Sequence, residues 1–164
     1  MAIPQDKLPM AVLSDSLRSF YGWGIKVHER GAYNHFCWLV RPGWVASQGW
    51  LFSLRPITDY FDEARLKLWH CPGWTAAERK KILDAIYADL ARPWYRRVYD
   101  VPAILGQLIW HEIQTPGLSI CSDKAGYFRL NDPSYDLRFP DPAQVNTWLS
   151  EHDKYQVYGR YVPD

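Results

Sequence analysis

Strand-length apolar segments fill this chain up to Cys71, and its clear helix signals come only afterwards. That segregation restricts the fold more than any other feature. A repeating strand–helix alternation builds a parallel sheet, whereas strands followed by helices give an α+β arrangement. Residues 11–20 alternate loosely and read as a strand. Tyr21 to Ala32, with three glycines and several charges, reads as a loop or short helix. His35 to Val40 is an aromatic-rich run of strand length. Arg41-Pro42-Gly43 is a turn signal and Trp44 to Ser47 a second short strand, so the two form an antiparallel hairpin. Gly49 to Tyr60 continues extended with a break at Pro56, and residues 65–71 alternate polar and apolar as a strand does.

The helices are marked by their caps. Thr75-Ala76-Ala77-Glu78 is a capping box opening a helix over 76–91, with Ile82, Leu83, Ile86 and Leu90 on one face and Pro93 as its stop. A second helix is expected over 101–112, with Pro102 near its first turn. Asp141-Pro142 supplies an N-cap and a proline at the first helical position, for a helix ending near Glu151. Tyr155 to Tyr161 reads as a last strand. The expectation is one α+β domain over residues 1–164, a small antiparallel sheet or partial barrel packed against helices. A length of 164 residues fits one domain that buries most of its apolar surface without disulfides or metals.

Two segments read as halves of one thiol site. Tyr33-Asn34-His35-Phe36-Cys37 places a histidine at the start of a strand, and Ser119-Ile120-Cys121-Ser122-Asp123 places a cysteine at a loop-to-helix junction. A thiol is a good nucleophile only as thiolate, and both an imidazole and a helix N-terminus favour that form. A helix beginning at Cys121 aims its first free N–H groups at the sulfur, and the same groups can hold an oxyanion. Each residue alone reads more readily as structural, since buried inert cysteines and satisfied histidines are common.

A third polar group normally orients such an imidazole. Hairpin register decides which residue it is, because alternate residues share a face. A two-residue Pro42-Gly43 turn pairs Arg41 with Trp44 and puts Gln48 opposite Cys37, on the face of His35. A three-residue turn pairs Val40 with Trp44 and puts Ser47 there instead. The sequence leaves both open.

The run from His35 to Trp50, then Leu54-Arg55-Pro56-Ile57-Thr58-Asp59-Tyr60, resembles the first half of the circularly permuted papain-like hydrolases, the YiiX-like branch of the NlpC-type superfamily. The helix after Thr75, then Tyr99-Asp100, the following helix and Leu118-Ser119-Ile120-Cys121-Ser122-Asp123-Lys124, is similar to the second half. The Phe139-Pro140-Asp141-Pro142-Ala143 helix start is also similar in placement. The likeness covers roughly residues 12–150, and the order His before Cys marks the branch. It implies a permuted papain-like fold, Cys121 as nucleophile and His35 as general base. Family members often carry glutamate as the third member; here Val45-Ala46-Ser47-Gln48 holds no acid. Serine or glutamine accepts from the imidazole N–H but stabilises imidazolium less than a carboxylate does.

The resemblance implies a cysteine amidohydrolase or peptidase acting through a thioester, with cell-wall peptides as first substrate class. The same scaffold hosts lipid acyltransferases and thioesterases. The rival from another class is a non-catalytic binding or virion-associated protein on the same fold, which the missing acid favours. A net charge of +1 gives no electrostatic reason for a nucleic-acid or anionic-membrane partner. The 16% aromatic content, with nine Trp, reads mainly as a core built on large rings. Three cysteines without close pairing point to a reducing compartment. The N-terminus lacks signal-peptide features and no apolar stretch is long enough for a bilayer, so the expected location is cytoplasmic at synthesis, compatible with a virion or post-lysis setting. His70-Cys71, His28 and His111 lack metal-ligand spacing, and neither metal nor organic cofactor is expected. Arg92, Arg96 and Arg97 with Trp94 and Tyr95 read as a solvated surface at a helix end. Asp59, Asp62 and Glu63 read as an exposed turn.

Overall fold

The computed structural model describes residues 3–16, 33–61, 64–98, 100, 120–138 and 140–162. Six strands, β1 (Met10–Ser16), β2 (His35–Arg41), β3 (Trp44–Gln48), β4 (Phe52–Pro56), β5 (Ala64–His70) and β6 (Gln156–Tyr161), form one antiparallel sheet. Their order is β4-β3-β2-β1-β5-β6, so the sheet is open, with β4 and β6 at its edges. Among the described residues, two α-helices, α1 (Ala76–Leu90) and α2 (Pro142–Glu151), and a 3₁₀ helix, Ser122–Leu130, pack with it. The architecture is α+β. The expected loop over 21–32 and helix over 101–112 lie outside the described residues.

The β2 run is apolar at almost every position because it is buried on both sides. Phe36, Trp38 and Val40 join the core shared with Ile82 and Ile86 of α1, Phe128 of the 3₁₀ helix and Trp148 of α2. Cys37 and Leu39 face the opposite way, with Met10, Val12, Val45 and Leu68, under Leu8, Ile57 and Tyr60. A strand covered on two faces needs apolar side chains in both alternating sets, which erases the polar half of the pattern.

The hairpin resolves the open register in a way that combines both alternatives. The turn is the two-residue Pro42-Gly43, with Gly43 at φ +78° and Arg41 paired with Trp44. The register then shifts between Leu39 and Arg41, so that Leu39 pairs with Val45 and Cys37 with Ser47. Val40 is the extra residue of a β-bulge, which admits one unpaired residue and moves every later pair by one.

Both expected caps form. Thr75 Oγ1 accepts from Glu78 N at 3.2 Å while Thr75 N donates to Glu78 Oε2 at 2.7 Å. Asp141 Oδ1 accepts from Gln144 N at 2.6 Å, and Asp141 N donates to Gln144 Oε1 at 2.9 Å, a second capping box with Pro142 behind it. On α1, Ile82 and Ile86 are buried while Leu83 and Leu90 pack at the core margin. Arg79 is buried on the same helix because its guanidinium is used twice: it donates to Cys71 O at 2.8 Å and Lys7 O at 3.1 Å. A buried cation needs such partners.

The 3₁₀ helix is fixed from two sides. Trp38 Nε1 donates to Lys124 O at 2.8 Å, tying it to β2. Asp89 of α1 accepts from Lys124 Nζ at 2.9 Å and from Tyr127 Oη. No helix among the described residues is long and apolar enough to cross a membrane.

Candidate active site

His35 opens β2, paired with Ser14 of β1, and its ring is partly buried on the face that carries Cys37. The bulge at Val40 sets Ser47 opposite Cys37, hence on that same face. The result is a short polar chain: His35 Nε2 and Ser47 Oγ are 2.8 Å apart, and Ser47 Oγ and Tyr60 Oη are 2.6 Å apart. Tyr60 Oη also stands 3.4 Å from His35 Nε2, with the two rings stacked at 15° and 6.0 Å between centroids.

Gln48 turns to the other face. Its Nε2 donates to Arg97 O at 2.9 Å and to Gly49 O at 3.4 Å. The Arg97 carbonyl also receives Phe52 N at 2.8 Å, and Arg97 Nη1 donates back to Phe52 O at 3.1 Å. Gln48 thus takes part in fastening the segment after α1 to β4, while Ser47 meets the imidazole. Trp94 and Tyr95 of that segment are exposed, and Arg92 pairs with Asp89 at 2.9 Å.

Cys121 is the N-cap of the 3₁₀ helix and is buried. One 3₁₀ turn separates it from Lys124, whose carbonyl is held by Trp38 of β2. Its thiol lies within electrostatic reach of Cys37 and Tyr60, since charge on it raises the pKa of both. The turn is braced by Asp123, whose Oδ2 accepts from Ile120 N at 2.9 Å. Ser122, next to the thiol, is fully buried, and its Oγ has no hydrogen-bond partner among the described residues. The structure joins His35 to Ser47, sets Cys121 within electrostatic reach of Cys37 and Tyr60, and turns Gln48 to the opposite side of β3.

The electrostatics favour neutral groups. Burial, with the Arg55 guanidinium second, lowers the His35 pKa to about 4. At neutral pH the imidazole is uncharged, as a proton acceptor must be. Burial pushes the Cys37 thiol well above its ordinary range, so Cys37 stays protonated. Burial also raises Tyr60, which remains a phenol able to donate.

Tyr60 is the member that sequence reasoning did not single out. It reaches the site from the 3₁₀ turn Ile57–Tyr60 that follows β4, through packing under the sheet. Its two oxygen contacts make it a reserve partner for the ring. Ser47→Ala and Tyr60→Phe are each expected to lower Cys121 reactivity at pH 7 by about fivefold, the worth of one buried hydrogen bond. The double variant should lose more than the product of the two, because each hydroxyl can substitute for the other. Simple multiplication of the two effects would show that the hydroxyls act independently and that neither substitutes for the other.

Among the described residues no group of three or more His, Cys, Asp or Glu is placed to hold a metal ion; His28 and His111 lie outside them. No family model matches the chain, and no curated protein matches it.

Proposed function

We propose that the protein is a thiol hydrolase, an amidase or peptidase, with Cys121 as nucleophile and His35 as its general base. The observation that supports this reading is the 2.8 Å His35 Nε2–Ser47 Oγ contact. In the catalytic tautomer proposed here, Nε2 carries the proton and donates to Ser47 Oγ. Nδ1, which makes no hydrogen bond to another described residue, keeps its lone pair for the thiol proton.

The chemistry then balances as follows. Cys121 Sγ bonds to the substrate carbonyl carbon as its proton passes to His35 Nδ1. The oxyanion is received by N–H groups at the start of the 3₁₀ helix, Cys121 N–H among them. The C–N bond breaks, the leaving amine takes the proton from His35, and a thioester remains. Water, giving its proton to His35, hydrolyses that thioester and releases the free thiol. Imidazolium is disfavoured at this site until negative charge forms beside it, so proton transfer and attack are coupled rather than preceded by a standing ion pair. The permuted papain-like fold and cell-wall peptides, both from the resemblance, are the first fold assignment and substrate class to test.

The deciding experiment is the rate of Cys121 alkylation by iodoacetamide against pH, read on the Cys121 peptide, with His35→Ala alongside. The expected result is a rate that persists below the free-thiol pKa of about 8.5 and falls at least tenfold at pH 7 in His35→Ala. A slow rate with an ordinary thiol titration, unchanged by the substitution, overturns the hydrolase. One observation favours the non-catalytic binding protein as the second reading: the ring is held by a hydroxyl rather than a carboxylate, which stabilises imidazolium less.

A further inference from the structure

Arg55 is an exposed residue of edge strand β4 whose guanidinium lies against Gly49. It pairs with Val45 of β3, and Ser53 pairs with Ser47, so Arg55 stands on the same sheet face as Ser47 and His35. From its place opposite Val45 the guanidinium folds back along the strands to Gly49. A Cβ built on Gly49 would lie 3.0 Å from Arg55 Nη2 and 3.5 Å from Cζ. The guanidinium thus lies against the bend that follows β3, on the face of the sheet that carries Ser47.

Two facts set this cation apart from an ordinary surface arginine. It forms no salt bridge with any described residue, unlike Arg92 beside Asp89. It also faces groups that gain nothing from it: its charge opposes protonation of His35. A cation held beside a neutral base, with no carboxylate partner among the described residues, is complementary to an anion brought from outside.

We propose that Arg55 is a specificity residue that receives a carboxylate of the substrate, so that the acyl donor presented to Cys121 is anionic. Gly49 provides the notch in which the guanidinium lies, and the exposed Trp50 beside it borders the subsite. The planar fork of arginine suits bidentate contact with a carboxylate. This inference rests on the thiol reading above and is tested apart from it by two alkylating reagents that differ in charge.

Iodoacetate and iodoacetamide attack the same sulfur with the same leaving group, so the ratio of their rates at Cys121 cancels any change in thiolate fraction. The wild-type ratio at low ionic strength is expected to exceed that of Arg55→Gln by about fivefold, as one nearby charge at intermediate dielectric gives. The ratio is read rather than either rate alone, because removing Arg55 also relieves the charge that opposes protonation of His35. Arg55→Lys, which keeps the charge, should retain most of the wild-type ratio. The same ratio in wild type and Arg55→Gln overturns the subsite while leaving the thiol reading standing. An equal drop at Cys71 marks a general charge effect and overturns it too. If Cys121 reacts with neither reagent in the folded protein but does so after unfolding, the thiol reading falls and the subsite with it.

Discussion

Phe128→Ala should destabilise the protein by about 3–5 kcal/mol, the range for deleting a buried aromatic ring. Phe128 is the hub of the helix-side core. Its ring centroid lies 4.8 Å from Trp38, 5.2 Å from Tyr155, 5.6 Å from Tyr135 and 5.8 Å from Trp148. Trp74 and Phe36 complete the shell at 6.1 and 6.5 Å. Such tilted and edge-on pairs add to the area they bury, and six large rings cannot collapse into one void without leaving their rotamers. Because Phe128 and Cys121 belong to one 3₁₀ helix, the loss should also raise Cys121 alkylation under native conditions. Urea unfolding measures the first effect and peptide-resolved labelling the second. Trp94→Ala, at a side chain 67% exposed, is the control and should stay within about 0.5 kcal/mol. A change below about 1 kcal/mol in Phe128→Ala would mean the ring is not the keystone its neighbours imply.

Stability should fall by about 2 kcal/mol as the pH drops from 6.5 to 4, once the partial exposure of the His35 ring is allowed for. The direction follows from the sign of the shift. The folded pKa of His35 is about 4, below the ordinary 6.5, chiefly through burial and then through Arg55. Above pH 6.5 the ring is neutral in both states and contributes nothing. Between 6.5 and 4 the unfolded chain binds a proton that the folded one refuses, so unfolding is favoured. Below about 4 both are protonated and this contribution is flat. His35→Gln, which can still contact Ser47, should remove most of that slope. A residue of it comes from His70, also lowered, by burial and then by Lys7 and Arg79. Asp89 and Asp132 act at lower pH. Burial alone would raise both, but Tyr127 and Lys124 on the first, and Lys154, Ser134 and Tyr155 on the second, outweigh it and hold them below the usual carboxylate range. Urea midpoints from pH 7.5 to 4 in the two proteins test this, and parallel curves would refute it.

The sequence made the hairpin, the two capped helices and the last strand legible because each depends on neighbours in the chain: Pro42-Gly43 for the turn, Thr75 with Glu78 and Asp141 with Pro142 for the caps. The α+β class followed from the order of those elements. What escaped was decided across space. The choice between Ser47 and Gln48 turned on one unpaired residue, Val40, whose apolar side chain is indistinguishable in sequence from its paired neighbours. Tyr60 carried no signal, since its approach to Ser47 depends on how the turn after β4 folds under the sheet. The burial of Arg79 likewise depends on two carbonyls distant in sequence. Arg55 looked like any edge-strand cation; only the strand pairing and Gly49 give it a direction.

The bulge at Val40 also makes the hairpin a selector. The strand residues Ser47 and Gln48 are fixed by the sequence, yet which of them serves His35 is set by whether Val40 joins the ladder or bulges out of it. Drawing Val40 into the ladder opposite Val45 would set Gln48 opposite Cys37 and exchange a hydroxyl for an amide beside the ring, with no residue changed. In this fold a register change at the hairpin therefore acts as a chemical substitution at the imidazole. A substitution that flattens the bulge thus bears on the imidazole as directly as a change at Ser47 itself.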